Sequence, residues 1–477
     1  MKVSVGLDIG TTSISCVAIA ESGQQLVTVN IAHNAALTNL PTGHVEQDPA
    51  SLWDIARECL NQCCTQLNDH ISGIGVTGQM HSTVLLDRSG HPVYPVITWQ
   101  DQRAALGEPS HMEELLEALP VEHMEGTGCR LSPGFMGTNL YSLSRTSSLP
   151  EQLNRVSFVA DWIVSRLTGT VSVTDRTHAA SSGLYDLRAD GWSERLLEQT
   201  RTDRDWLPQV RPSGEIAGVI FDEFLPAHHR GPSIPVCTAI GDHQAAVLST
   251  LSDEGTGSLL INIGTGGQVC WRTTEFLPQN GLEIRPLPAD SLSEPCDFIY
   301  VGAGLCGGSE FAWVAKTFQR LAEEMGVPVS HEQIWQQLTR YTELADTGLN
   351  CEPYFFGTRP EPHRRGFLSQ IDGSNLTVHS LASAVARGIA QSMHHLSTSG
   401  GARPGHVLMS GNALRSIPLL RCAIRELYGV PVHVVGIEEA AATGAALLAG
   451  VATGMWANIS EARCSMNSTG PRGHEDD

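Results

Sequence analysis

IGDHQAAV (Ile240 to Val247), followed after a short acidic, Gly-rich loop by LLINIGTGGQV (Leu259 to Val269), is the stretch on which the reading of this chain turns. A lone carboxylate, Asp242, stands behind a glycine and ahead of an Ala-rich helical run, a position that also suits a helix N-cap. A strand, a Gly-Thr-Gly-Gly turn and a second strand follow. Such a turn bares backbone N–H groups that Cβ atoms would otherwise crowd, as an anionic phosphate requires. A proton acceptor near a phosphate cradle is the layout of phosphoryl transfer.

Working outward, VSVGLDIGTTSISCVAIAESG (Val3 to Gly23) repeats this grammar: apolar strand, Asp8, a Gly-Thr-Thr turn, then an outgoing strand. Asp8 and Asn262 stand at the same point of the two segments, so the chain is expected to hold two similar lobes facing each other, with the hairpins clasping phosphates between them. Asp8 ends a buried strand, where a bare carboxylate is costly unless paired or near a metal; an Asx-type turn bond is the bland alternative. Strands alternating with helices elsewhere argue for α/β layers.

Two strand ends carry a different chemistry. Gln79-Met80-His81 closes the strand ISGIGVTG (Ile71 to Gly78), and Trp99-Gln100-Asp101-Gln102-Arg103 closes a run read as a strand from Val93. Amide, imidazole, indole, carboxylate and guanidinium together suit a polyol, with hydrogen bonds for hydroxyls and an aromatic face for C–H groups. Ordinary loop polarity, with Trp99 as a core anchor, is the alternative. Thr174 to Trp192, small and polar, reads as a loop lining a cleft, and DWIVSRLTG (Asp161 to Gly169) as a helix closed by its glycine.

Length and charge narrow the field. A chain of 477 residues with 41% hydrophobic and 17% charged residues implies more than one folded core. A net charge of −21 excludes nucleic acid as a natural partner. No apolar run approaches the ~20 residues that cross a bilayer, and the N-terminus enters a strand directly, so a cytoplasmic protein without a membrane partner is expected. The 12 cysteines form no CxxC pair, in keeping with reduced thiols. Lysine occurs only at Lys2 and Lys316, so a nucleotide phosphate would rely on backbone N–H groups, Mg²⁺ and arginine. GAGLCG (Gly302 to Gly307) matches a dinucleotide fingerprint in form, but Ser330-His331-Glu332-Gln333 opens a helix with a capping box where that fold needs a second strand.

In order along the chain, GLDIGTTS, VTGQMH, TWQDQR, LTGTVSVTDRTHAASSGLYDL, GDHQAAV, INIGTGG, PYFFGTRPEPHRRGFLSQI, SGNALRS and EEAAATGAALLAG resemble the motifs of the FGGY carbohydrate kinases, relatives of actin and the heat-shock chaperone ATPases. The resemblance implies two actin-like, ribonuclease-H-like domains with an interdomain cleft: 1–250 with the sugar site and first phosphate hairpin, 251–460 with ATP, and 461–477 as a mobile tail. It implies an ATP-dependent sugar kinase using Mg²⁺, with Asp242 as general base and Asp8 and Asp242 at the metal. Gly10, Thr11, Thr12, Gly264, Thr265, Gly266, Gly411, Asn412 and Ser416 would meet ATP. Gln79, Met80, His81, Trp99, Asp101, Arg103 and His243 would line the sugar site. GQMH followed by TWQD is most similar to the sedoheptulokinase branch, with xylulokinases and other polyol kinases the alternative; a homodimer fits the resemblance. Ser82 and Asn139 depart from residues common in such kinases, which have Gly and Lys there. A nucleotide- and sugar-binding protein without turnover is the rival reading; ADP release that depends on added sugar separates the two.

Overall fold

The computed structural model describes residues 1–119, 123–251, 257–279, 281–292, 296–357 and 363–469. Two sheets carry the same strand order. In the first, β1 (Lys2–Ile9), β2 (Ser13–Ala20) and β3 (Gln25–Ala32) form an antiparallel meander, and after α1 (Pro49–Thr65) the strand β4 (His70–Gly78) returns parallel to β1. β5 (Ile216–Val219) and β6 (Pro235–Cys237) complete the order β5-β6-β4-β1-β2-β3. The second sheet contains β7 (Ser258–Ile263), β8 (Gly267–Thr273), β9 (Glu283–Leu287), β10 (Asp297–Leu305), β11 (His406–Ser410) and β12 (Val432–Val434), ordered β9-β10-β8-β7-β11-β12. Strip the edge strands β5 and β9, and β6-β4-β1-β2-β3 matches β12-β11-β7-β8-β10 strand for strand. Register agrees too: Asp8 faces Ser15 across the first hairpin, as Asn262 faces Gln268 across the second.

This is the two-domain actin-like α/β fold. Strands β1, β4 and β7 are near-continuous apolar runs because both of their faces are covered. GAGLCG falls within and just after β10, which pairs antiparallel with both β8 and β9, so it opens no βαβ unit and the dinucleotide reading has no fold to stand on.

Two helices cross between the sheets. α2 (Val159–Thr168), capped by Gly169, and α3 (Arg176–Ser181) belong with the first sheet, but α4 (Asp242–Thr250) buries Val247, Leu248 and Leu251 against Leu260, Cys270 and Ile299 of the second. In return α7 (Ala440–Ala452), which follows α5 (Gly308–Glu324) and α6 (Asn412–Ser416), packs Ala442 and Ala446 against the first sheet. Its small residues explain this. A Cβ on Gly6 would lie 1.9 Å from the Ala442 carbonyl oxygen, and one on Gly75 2.0 Å from that of Ala445. Helix and sheet touch backbone to backbone, so both crossing helices start at the cleft.

Some sequence expectations give way to tertiary context. The expected cleft loop from Thr174 contains α3, capped by Asp175, whose side chain accepts the His178 N–H. The strand read from Val93 shrinks to Val96–Ile97, since Pro92 and Pro95 lack the N–H groups a ladder needs. Within the expected tail, Ile459–Thr469 is a helix (α8): Asp290 accepts the Ile459 N–H on its carbonyl and the Ser460 N–H on its side chain, and Ala462 is buried. Residues 470–477 lie outside the described residues. Among the described residues no helix is long and apolar enough to cross a membrane.

Candidate active site

The two hairpins meet at a cluster of carboxylates. Asp242 is the first residue of α4 rather than its N-cap, which is Gly241; its Oδ1 accepts the N–H of His243 at 2.7 Å. Burial pushes its carboxyl up to about 6, while that N–H and the charge of His178 pull it back. Asp8, at the end of β1, is pushed further, to about 8, by burial first and then by the charges of Asp242 and Glu439. Asp8 Oδ1 is buried without a hydrogen-bond partner. Glu439, held in a left-handed conformation at φ 50°, accepts from Ser15 Oγ at 2.6 Å and Asn30 Nδ2 at 2.9 Å, tying the loop before α7 to the first sheet. An unpartnered oxygen among like charges fits a cation. Mg²⁺ is such a cation: it takes one or two carboxylates and completes its shell with phosphate and water.

Behind Asp242 lies a buried charge cluster absent from the sequence reading. His178 Nδ1 is 3.9 Å from Asp161 and 3.5 Å from Asp175, all three side chains fully buried. Burial alone would lower the imidazole; the two aspartates hold it above its usual range. Asp175 is wired to the residue before Asp242 through Thr177, whose hydroxyl donates to Asp175 and accepts the Gly241 N–H at 2.8 Å.

The nucleotide side is built from backbone. In the second turn Gly264 N–H donates to the Gly266 carbonyl at 3.0 Å, and the first turn of α5 docks on it through Gly308 N–H to Gly264 O and Ser309 N–H to Thr265 O. Gly307 and Gly308, at and after the end of the false fingerprint, therefore serve close helix-to-turn contact. A Cβ on Gly264 would meet no protein atom within 4 Å, so protein packing leaves that space free. Gly411 and Asn412 line a cavity of about 390 Å³ with His243, Asn262, Gln268 and Arg415. Ser416 is not among its lining residues; its hydroxyl donates to the Asn412 carbonyl within α6. In the first turn Thr12 is exposed and Gly10 O meets His33 Nε2 at 3.1 Å.

Thr11 joins the first turn to the strand ends that carry Gln79 and Trp99. Its hydroxyl accepts from Trp99 Nε1 at 3.1 Å and faces Gln79 Oε1 at 3.4 Å, while Gln47 bridges the Thr11 carbonyl and the Gln79 amide. Trp99 is 42% exposed, no core anchor, and offers a face at the cleft. Met80 is buried beside Gly241. His81 takes a left-handed backbone, φ 66°, and its Nδ1 meets the Ser181 carbonyl at 2.6 Å; a carbonyl only accepts, so Nδ1 carries a proton. His243 is pushed down to about 4 by burial and by Arg285, so it is neutral at pH 7.

Asp101 and Arg103 stand apart from this group. Both are buried, and Arg103 binds Asp101, Glu46 and Tyr94 in a closed network, with Asp101 also accepting the Val45 N–H. They brace the strand end that carries Trp99. The two departures are internal as well: Ser82 accepts the Val159 N–H that starts α2, and Asn139 donates to Thr83 and the Gly134 carbonyl.

Comparison with known proteins agrees with this architecture. The profile of the FGGY family of carbohydrate kinases, N-terminal domain, matches residues 3–249, and that of its C-terminal domain residues 259–453. The chain is 28% identical over 474 residues to a glycerol kinase of Azotobacter vinelandii, covering 96% of this chain and 90% of that one. It is 27% identical to glycerol kinase 1 of Clostridium tetani, covering 95% and 90%. Among solved structures, a xylulose kinase from Rhodospirillum rubrum superposes with a TM-score of 0.83 at 24% identity, covering 97% and 92%. A Plasmodium falciparum glycerol kinase with ADP does so at 0.81 and 19%, covering 98% and 92%.

Proposed function

The chain belongs to the FGGY family of carbohydrate kinases, ATP-dependent phosphotransferases with an alcohol group as acceptor, and from that premise we propose that its acceptor is a ketose, first of all sedoheptulose phosphorylated on its 7-hydroxyl. Xylulose, or another polyol or ketose, is the alternative. The observation that supports the reading is the pair of half-buried carboxylates, Asp8 and Asp242, near enough for the charge of Asp242 to raise Asp8.

In this reading Asp242 takes the proton of the sugar hydroxyl as its oxygen forms a bond to the γ-phosphorus and the bond to ADP breaks. Raised to about 6, the carboxyl is ionised at pH 7 yet basic enough to share a proton in the transition state. The second turn offers N–H groups to the phosphates, and Gly411 and Asn412 face the nucleotide. Asp8 and Asp242 are the side chains that would hold Mg²⁺, which supplies neutralisation of phosphate charge. His81 and neutral His243, with Gln79 and the face of Trp99, receive the sugar; Met80 packs beneath. Asp101 and Arg103 act from behind, by bracing Trp99.

Coupled ADP release with Mg·ATP, measured with sedoheptulose, xylulose, ribulose, fructose and glycerol, tests this. The highest kcat/KM with sedoheptulose, lost in Asp242→Asn, is expected. A higher value with xylulose or glycerol overturns the substrate; unchanged turnover in Asp242→Asn overturns the base.

A further inference from the structure

The sugar-facing segment is held in part by the opposite lobe. Arg285 stands on β9, in the second sheet, yet its side chain is 4% exposed and reaches into the first lobe. Its guanidinium lies over the face of Phe135, 5.7 Å from the ring centroid. Phe135 in turn stacks on His81, with centroids 4.0 Å apart and planes inclined by 15°. The same guanidinium donates through Nη1 to the Ala180 carbonyl at 3.2 Å. The next residue, Ser181, grips His81 twice, its carbonyl against Nδ1 and its hydroxyl accepting the His81 backbone N–H at 3.2 Å. Glu283 takes Nε and Nη2 of Arg285, and the Ile284 N–H donates to the Gly128 carbonyl at 2.8 Å, so β9 itself is docked on the first lobe.

We propose that Arg285 is a positioning residue for sugar recognition: it fixes the imidazole of His81 from both sides, through the Phe135 ring and through the Ala180–Ser181 backbone. The inference rests on the reading of Gln79 to His81 as sugar-contacting. A non-glycine residue in the left-handed region persists only where its surroundings over-determine it, and here they do. A planar guanidinium can lie flat on a ring while donating sideways to a carbonyl; an ammonium cannot do both. Because the arginine comes from the second lobe, the sugar pocket has its full shape only while β9 stays seated, and sugar affinity reports on the closeness of the lobes.

The test uses Arg285→Met and Arg285→Lys in the full-length enzyme, with steady-state kinetics and ¹⁵N-histidine NMR, the His81 signal assigned by His81→Asn. Arg285→Met is expected to raise KM for the sugar by about tenfold or more, with KM for ATP within about twofold and kcat at saturating sugar within about threefold. Arg285→Lys moves the same way by less. The Nδ1–H pattern of His81 gives way to a mixture of tautomers. An unchanged sugar KM with an unaltered His81 signal overturns the proposal, as does an equal rise in both KM values. Should Arg285→Met not fold, Arg285→Lys decides on the same readouts. If the wild type turns over no sugar, the sugar-contacting reading fails, while the NMR arm still decides whether Arg285 fixes His81.

Discussion

The hairpin that ends β1 and the hairpin that ends β7 occupy equivalent places in matching sheets, yet they are built for different work. Asp8 is a half-buried carboxylate whose Oδ1 is buried without a hydrogen-bond partner, raised by the charges of Asp242 and Glu439. Asn262, its counterpart, is neutral, exposed, and lines the cavity shared with Gly411 and Asn412. The first turn is wired by side chains, Trp99 and Gln79 to Thr11, toward the sugar end. The second is wired by backbone to the start of α5, and its Gly264 leaves open space. Duplicated topology supplies two turns; in the proposed mechanism, charge on one and bareness on the other divide the labour between cation and phosphate.

The comparison breaks most severely at Asp242, the proposed base. Asp242→Asn is expected to lower kcat by about 10³-fold with little change in ATP affinity, measured by calorimetric titration beside turnover. In the wild type the acid limb of kcat should fall near pH 6, since the carboxyl must be ionised to accept a proton and is lost as pH drops through about 6. Making the first turn as neutral as the second, Asp8→Asn should cut kcat/KM for Mg·ATP by about 10²-fold. It should also raise the melting temperature of the nucleotide-free protein at pH 8 by a few degrees. The sign follows from linkage: with a folded value of about 8 against 3.8 unfolded, the folded state holds more protons over that interval, so Asp8 costs stability as pH rises through it. A lower melting temperature in Asp8→Asn would contradict this.

Within the second turn the glycines should separate. Gly264→Ala should raise KM for ATP by about tenfold without altering thermal stability, because the added methyl enters space that no protein atom fills. Gly267→Ala should cost about 1–3 kcal/mol in denaturant unfolding, since its Cβ would stand 2.2 Å from Met393 Cε and 2.3 Å from the Cys306 carbonyl oxygen. Equal thermal stability of the two variants would erase the distinction. The smallest effect is expected at Trp99→Ala. Sequence alone suggests a KM raised much more for the sugar than for ATP, and the Trp99–Thr11 hydrogen bond puts the rise for ATP at about two- to threefold.

Much of the site was legible because its chemistry is local. Asp242 before an Ala-rich run, Asp8 at a strand end and the bare Gly-Thr-Gly-Gly turn each declare themselves within a few residues. What escaped lies on partners distant in sequence. Glu439 meets Ser15 and Asn30 across more than four hundred positions, and Arg285 reaches Ala180 from the other sheet. His178 reads as one polar residue in a small-residue run until folding buries it between Asp161 and Asp175. Asp101 and Arg103 show the other side of this: their residue types suit a sugar, while in the fold Arg103 binds Asp101, Glu46 and Tyr94.

By itself, then, the sequence determined the paired hairpins, the two-lobed α/β architecture and the candidate base, because apolar strand runs and glycine turns are dictated by short-range sterics and burial. Only the tertiary structure decided which polar groups are spent on one another and which face the cleft. Hydrogen-bond satisfaction and desolvation depend on neighbours that the chain brings together only when folded.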